Sequence, residues 1–155
     1  MSSNNVNSPR ALIGGEVRAT LRMGEGRPGE REFLAKYEPR QDHRLTGVYL
    51  NTAEEFHLYV HSYQHVPDDQ VQFILDDIIF SFKKLLPPGR YDLPHDDLKI
   101  IADYRFSGQV WIPEAGYIFL SGVDPSSFRG NFEAYKNKDQ NGPAIREGVF
   151  EFKFE

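Results

Sequence analysis

Residues 150–155 read Phe-Glu-Phe-Lys-Phe-Glu, and this strict alternation narrows the possible folds more than any other stretch of the chain. Successive side chains of an extended strand point to opposite sides, so Phe150, Phe152 and Phe154 share one face and Glu151, Lys153 and Glu155 the other. A strand with one apolar and one charged face belongs to an antiparallel sheet whose inner side is packed.

The same period runs back through the last third. Phe128, Gly130, Phe132 and Ala134 share a face over 128–135, and the loop at 136–143 contains Asn141-Gly142-Pro143, which cannot continue a strand. Asp124-Pro125-Ser126-Ser127 predicts a turn, preceded by an extended run at 117–121. Upstream, Tyr104, Phe106, Gly108, Val110 and Ile112 alternate with Arg105, Ser107, Gln109 and Trp111. This predicts one strand over 104–112 with the first set buried. Pro113-Glu114-Ala115-Gly116 then closes a hairpin onto 117–121, and the expectation for 104–154 is an antiparallel meander with an aromatic core.

Toward the N-terminus, Val17, Ala19, Leu21 and Met23 alternate with Glu16, Arg18, Thr20 and Arg22, a strand pattern over 16–23. A Gly-Pro turn at 24–29, a second strand through Phe33, Ala35 and Tyr37, a charged loop at 38–44 and a third strand at 45–50 follow. Residues 1–10, rich in Ser and Asn, are expected to be a disordered tail, which leaves 11–155 as a single β domain. At 155 residues one core can be buried without staples.

Two middle segments read both ways. Thr52-Ala53-Glu54-Glu55 matches a capping box ahead of Phe56, Tyr59, Val60 and Tyr63 at helical spacing, yet Phe56, Leu58 and Val60 also alternate with His57, Tyr59 and His61. Over 70–86, Val71, Ile74, Leu75, Ile78, Ile79 and Phe82 trace a helical stripe, with Lys83-Lys84 where a helix dipole prefers cations. Pattern alone favours a helix there slightly, and the alternative is two strand segments around Asp76-Asp77.

Four motifs bear on that choice. Gly89-Arg90-Tyr91-Asp92-Leu93, Ser107-Gly108-Gln109-Val110-Trp111-Ile112, Gly130-Asn131-Phe132-Glu133-Ala134 and Gly148-Val149-Phe150 follow one another through the second half. In this order they resemble a family of small, uncharacterised all-β domains of bacterial surface lipoproteins. The resemblance implies a sandwich or barrel-like fold and brings no activity with it. The chain departs from that family in having no cysteine and no lipoprotein leader, so a surface address is not implied. On this basis the middle segments are expected to be strands. The fold expected is all-β, an antiparallel two-sheet sandwich or flattened barrel of about ten strands, with an α+β fold carrying one helix at 70–86 as the alternative.

Composition enters mainly by exclusion. No cysteine means no disulfide, thiolate metal site or cysteine nucleophile. A net charge of −5 argues against a nucleic-acid surface, which needs clustered cations to displace phosphate counterions. No apolar run approaches bilayer length, and residues 1–10 lack the apolar core of a signal peptide, so a cytoplasmic address or leaderless export is expected. No Gly-x-Ser-x-Gly elbow, phosphate loop or dinucleotide fingerprint occurs, and no cofactor is expected.

The candidate binding residues are His57, Tyr59, His61, Tyr63 and Trp111. On a helix, His57, His61 and His65 would line one face at metal-binding spacing; on a strand, His57 and His61 would stand about 13 Å apart, too far to share an ion. The same aromatic, hydrogen-bonding face could serve a protein or glycan partner, with a solvated sheet face as the plain reading. Trp111 is either core or an exposed contact. Asp92, Asp96 and Asp97 are calcium candidates, although turn-forming aspartates account for them without an ion. The function expected is non-catalytic recognition of a protein, glycan or lipid headgroup. A self-assembling subunit, joined through strand edges at the aromatic run 149–154, and a hydrolase using paired carboxylates are the alternatives.

Overall fold

The computed structural model describes residues 12–24, 27–37, 46–50, 58–65, 74–83, 86–104, 109–124 and 127–154. Among them are eleven strands and no helix: β1 (Leu12–Gly24), β2 (Arg27–Lys36), β3 (Thr46–Leu50), β4 (Leu58–His65), β5 (Ile74–Phe82), β6 (Gly89–Asp92), β7 (Leu98–Tyr104), β8 (Gln109–Trp111), β9 (Ala115–Asp124), β10 (Ser127–Tyr135) and β11 (Ala144–Phe154). They form two antiparallel sheets, ordered β2-β1-β11-β10-β9-β6 and β3-β4-β5-β7-β8. Neither sheet closes on itself, so the architecture is the sandwich and not the barrel. The tail expected at 1–10 lies outside the described residues. No helix among the described residues is long and apolar enough to cross a membrane.

The helical alternative for 70–86 is overturned, because Ile74–Phe82 is the central strand of the five-stranded sheet, paired with β4 and β7. Ile78, Phe80 and Phe82 face the core, while Asp77, Ile79 and Ser81 on the other side are also buried. A strand covered on both faces loses its polar alternation, and its near-continuous apolar run then imitates a helical stripe.

Two expectations around residues 104–116 also fail, for one reason. The chain does not run straight from 104 to 112: β7 and β8 pair antiparallel, with Tyr104 opposite Gln109 and Ala102 opposite Trp111. This reversal resets the alternation. Trp111 joins the core at 4% exposure, whereas Val110 at 67% and Ile112 at 61% face outward, the inverse of the predicted faces. Nor do 113–116 close a hairpin, since β8 and β9 belong to different sheets and the segment between them carries the chain across the sandwich.

The remaining C-terminal pattern is realised. β9, β10 and β11 are successive neighbours in the six-stranded sheet. β11 is flanked by β10 on one side and β1 on the other, so the aromatic run at 149–154 is paired within the chain. Phe132 and Phe152 are both fully buried. Phe80, from the opposite sheet, inserts among them with ring centroids 5.1 Å from Phe132, 5.4 Å from Phe150 and 5.6 Å from Phe152. Phe82 stacks on Phe128 at 5.5 Å. The two inner faces are thereby locked by aromatic contacts in tilted and edge-on geometries, which ring quadrupoles favour.

Along one side the sandwich is shut. β2 comes up against β3 and β4, and there Arg31 of β2 reaches across to Asp76 of β5, donating from Nε at 2.9 Å and from Nη2 at 2.6 Å. Asp76 has no exposed surface. Burial pushes its carboxyl above the usual range; the hydrogen bonds and charge of Arg31 pull the other way, and the nearby charge of Asp103 adds to the rise.

One glycine in this frame is required by geometry. Gly116 has φ 125°, and a Cβ there would lie 2.2 Å from the Glu133 carbonyl oxygen on the neighbouring strand. Gly116→Ala is expected to cost about 1–3 kcal/mol through left-handed backbone strain and a clash that only backbone movement relieves. Urea unfolding measures this, and a loss under about 0.5 kcal/mol would mean that β9 and β10 can separate freely at this point.

Candidate functional site

Opposite the shut side, β6 and β8 end their respective sheets. β8 stops early for a local reason. Proline has no N–H to donate to a ladder, so Pro113 takes the chain out of the sheet just beyond Trp111. β7 runs on through Leu98 to Ile101 with no partner strand on that side among the described residues.

The segment 93–97, which carries the chain from β6 to β7, borders the resulting gap and is anchored at both ends. Leu93 N–H donates to the Gly116 carbonyl oxygen at 3.0 Å, and Lys83 N–H donates to the Asp97 carbonyl oxygen at 2.9 Å. Between the anchors lies a cleft of about 330 Å³. Its floor is Leu93, Leu98, Ile100 and Pro113, all buried. Around the rim stand Pro94, His95, Asp96, Lys99 and Ile112, which are exposed or half-buried. Apolar burial below and hydrogen-bonding groups above is the general build of a small-molecule site.

His95 is held from two directions. Asp97 N–H donates to its Nδ1 at 3.0 Å, and the Tyr91 ring meets the imidazole edge-on at 5.5 Å. Tyr91 is itself fixed, with its hydroxyl donating to the Pro87 carbonyl oxygen at 2.5 Å. An imidazole that accepts at Nδ1 carries its proton on Nε2, so the remaining nitrogen of His95 is a donor. Asp96 and Lys99 form no ion pair within 4.0 Å with each other or with any other described residue.

The residues singled out from sequence are placed as follows. His57 lies outside the described residues. Tyr59, His61 and Tyr63 belong to β4, and the register sets them opposite Ser81, Ile79 and Asp77. Because β4 is extended, the helical spacing that would align His61 with His65 is not formed. Trp111 is a core residue. The three aspartates do not converge: Asp92 is exposed and pairs with Arg90 at 3.0 Å, Asp96 stands on the cleft rim, and the backbone of Asp97 is engaged by His95 and Lys83. No three His, Cys, Asp or Glu among the described residues gather closely enough to hold a metal ion.

Sequence reasoning located the turn at 92–97 but assigned it acidic chemistry. It missed the apolar floor and the roles of His95, Lys99 and Ile112. The available signal was Pro113 following a three-residue apolar run, which ends a strand early and leaves its neighbour uncovered. No family model, curated protein or solved structure matches the chain.

Proposed function

We propose that the protein is a non-catalytic recognition module that takes a small, largely apolar ligand into the cleft between 93–100 and 112–113. The observation that carries this reading is the cleft itself: about 330 Å³, within the range of small-molecule sites, with a buried apolar floor at a sheet edge that no strand among the described residues covers. Recognition is favoured over catalysis by its lining, which contains no serine, threonine or cysteine, and by the engagement of His95 Nδ1 with a backbone N–H rather than with a carboxylate.

Titration with indole, followed by amide chemical shifts, tests the proposal. Shifts are expected to concentrate at 93–100 and 112–113. Ile112→Trp, at an exposed position where the fold tolerates change, is expected to fill the mouth and abolish them. Shifts dispersed over the outer faces of the sheets, or unaffected by Ile112→Trp, would remove the cleft as the binding site. The self-assembly reading has lost its motive, since β11 is paired on both sides; a dimer in light scattering at high protein concentration would restore it.

A further inference from the structure

The polar rim of the cleft narrows the class of ligand, an inference that rests on the cleft being the binding site. Three side chains there carry hydrogen-bonding or charged ends, and each has a different sign or role. His95 presents Nε2–H, because its Nδ1 is occupied by the Asp97 N–H at 3.0 Å. Lys99 supplies an ammonium and Asp96 a carboxylate, and both are exposed on the rim without an ion pair among the described residues. Elsewhere on this surface, neighbouring opposite charges do engage each other, as in Arg18 with Glu16, Arg90 with Asp92 and Lys153 with Glu151. Asp96 and Lys99 stand apart around an apolar floor, an arrangement complementary to a molecule carrying both charges at one end.

We infer that the cleft binds a small zwitterion with an apolar substituent, that is, a free apolar α-amino acid. The amino acid's ammonium faces Asp96. Its carboxylate takes the Lys99 ammonium and the His95 Nε2–H, and its side chain lies against Ile112 and the edge of Leu93. A purely anionic ligand would keep Lys99 and His95 but leave Asp96 without a partner, and a purely cationic one would keep Asp96 but leave Lys99 and His95 without one. A neutral apolar molecule gains the floor and neither charge.

Isothermal titration of the intact protein with phenylalanine, 3-phenylpropionate and phenethylamine separates these cases. Phenylalanine is expected to bind about tenfold tighter than either analogue, the effect of one charge-assisted hydrogen bond at a partly exposed rim. Asp96→Asn is expected to bring phenylalanine down to the level of 3-phenylpropionate, and Lys99→Met to that of phenethylamine. Both positions are exposed, so neither variant threatens folding. If either analogue matches phenylalanine in the unaltered protein, the zwitterion inference fails while the cleft reading survives. If none of the three binds and indole also leaves residues 93–100 unperturbed, the cleft reading fails with it.

Discussion

Phe80→Ala lowers the unfolding free energy by about 3–5 kcal/mol, roughly a fifth or more of what a domain of this kind has in reserve. The expected size follows from where the ring sits. Phe80 is fully buried on the central strand of one sheet and touches Phe132, Phe150 and Phe152, from two strands of the other. Removing it deletes the ring's own burial and opens a cavity among aromatics contributed by both sheets. The surrounding rings are constrained by Phe82, whose ring centroid lies 6.1 Å from that of Phe150, and by strands paired on both sides, so the cavity cannot collapse fully. Urea denaturation measures the change, with Phe119→Ala, on the outer face of the six-stranded sheet, as the comparison expected to stay within about 1 kcal/mol. Equal effects of the two substitutions would mean that β5 does not pack its Phe80 face against β10 and β11.

The second large effect comes from the inter-sheet ion pair. Arg31→Met is expected to destabilise the protein by about 3–5 kcal/mol at neutral pH, because it leaves the Asp76 carboxylate buried without its partner. The pH dependence carries a sign. Burial raises the folded-state pKa of Asp76 above its unfolded value, against the pull of Arg31. A carboxyl shifted in that direction contributes stability below its unfolded pKa and loses it as pH rises through the folded one. Without Arg31 nothing opposes the rise from burial, so the penalty of the variant is greatest at neutral pH and shrinks as acid protonates Asp76. Adding Asp76→Asn to Arg31→Met should flatten this difference, since the neutral amide does not titrate. A penalty in Arg31→Met that stays constant from neutral pH into the acid carboxylate range would show that Asp76 remains solvated and that the pair does not clasp the sheets.

Much of the fold is legible in the chain because period two is a local property. Phe128, Phe132 and Phe152 are where alternation puts them, and the β9–β10 turn lies where Asp124 and Pro125 predict it. The inverted faces at 110–112 have a definite cause. Alternation assigns faces only while the chain keeps its direction, and the reversal between Tyr104 and Gln109 exchanged the surroundings of Trp111 and Ile112. Ile74–Phe82 misleads for the opposite reason: burial on both faces erased the signal.

By itself, then, the sequence determined which residues outside the two middle segments are extended and which face of most of those strands is apolar, because a side chain's direction along a strand follows from backbone geometry alone. Only the tertiary structure decided that one side of the sandwich is clasped by Arg31 and Asp76 while the other, among the described residues, carries a cleft lined by His95, Asp96 and Lys99. Such a gap depends on where two sheets end relative to each other. That is set by the sum of many packing contacts between residues distant in the chain, and no short stretch of residues encodes it.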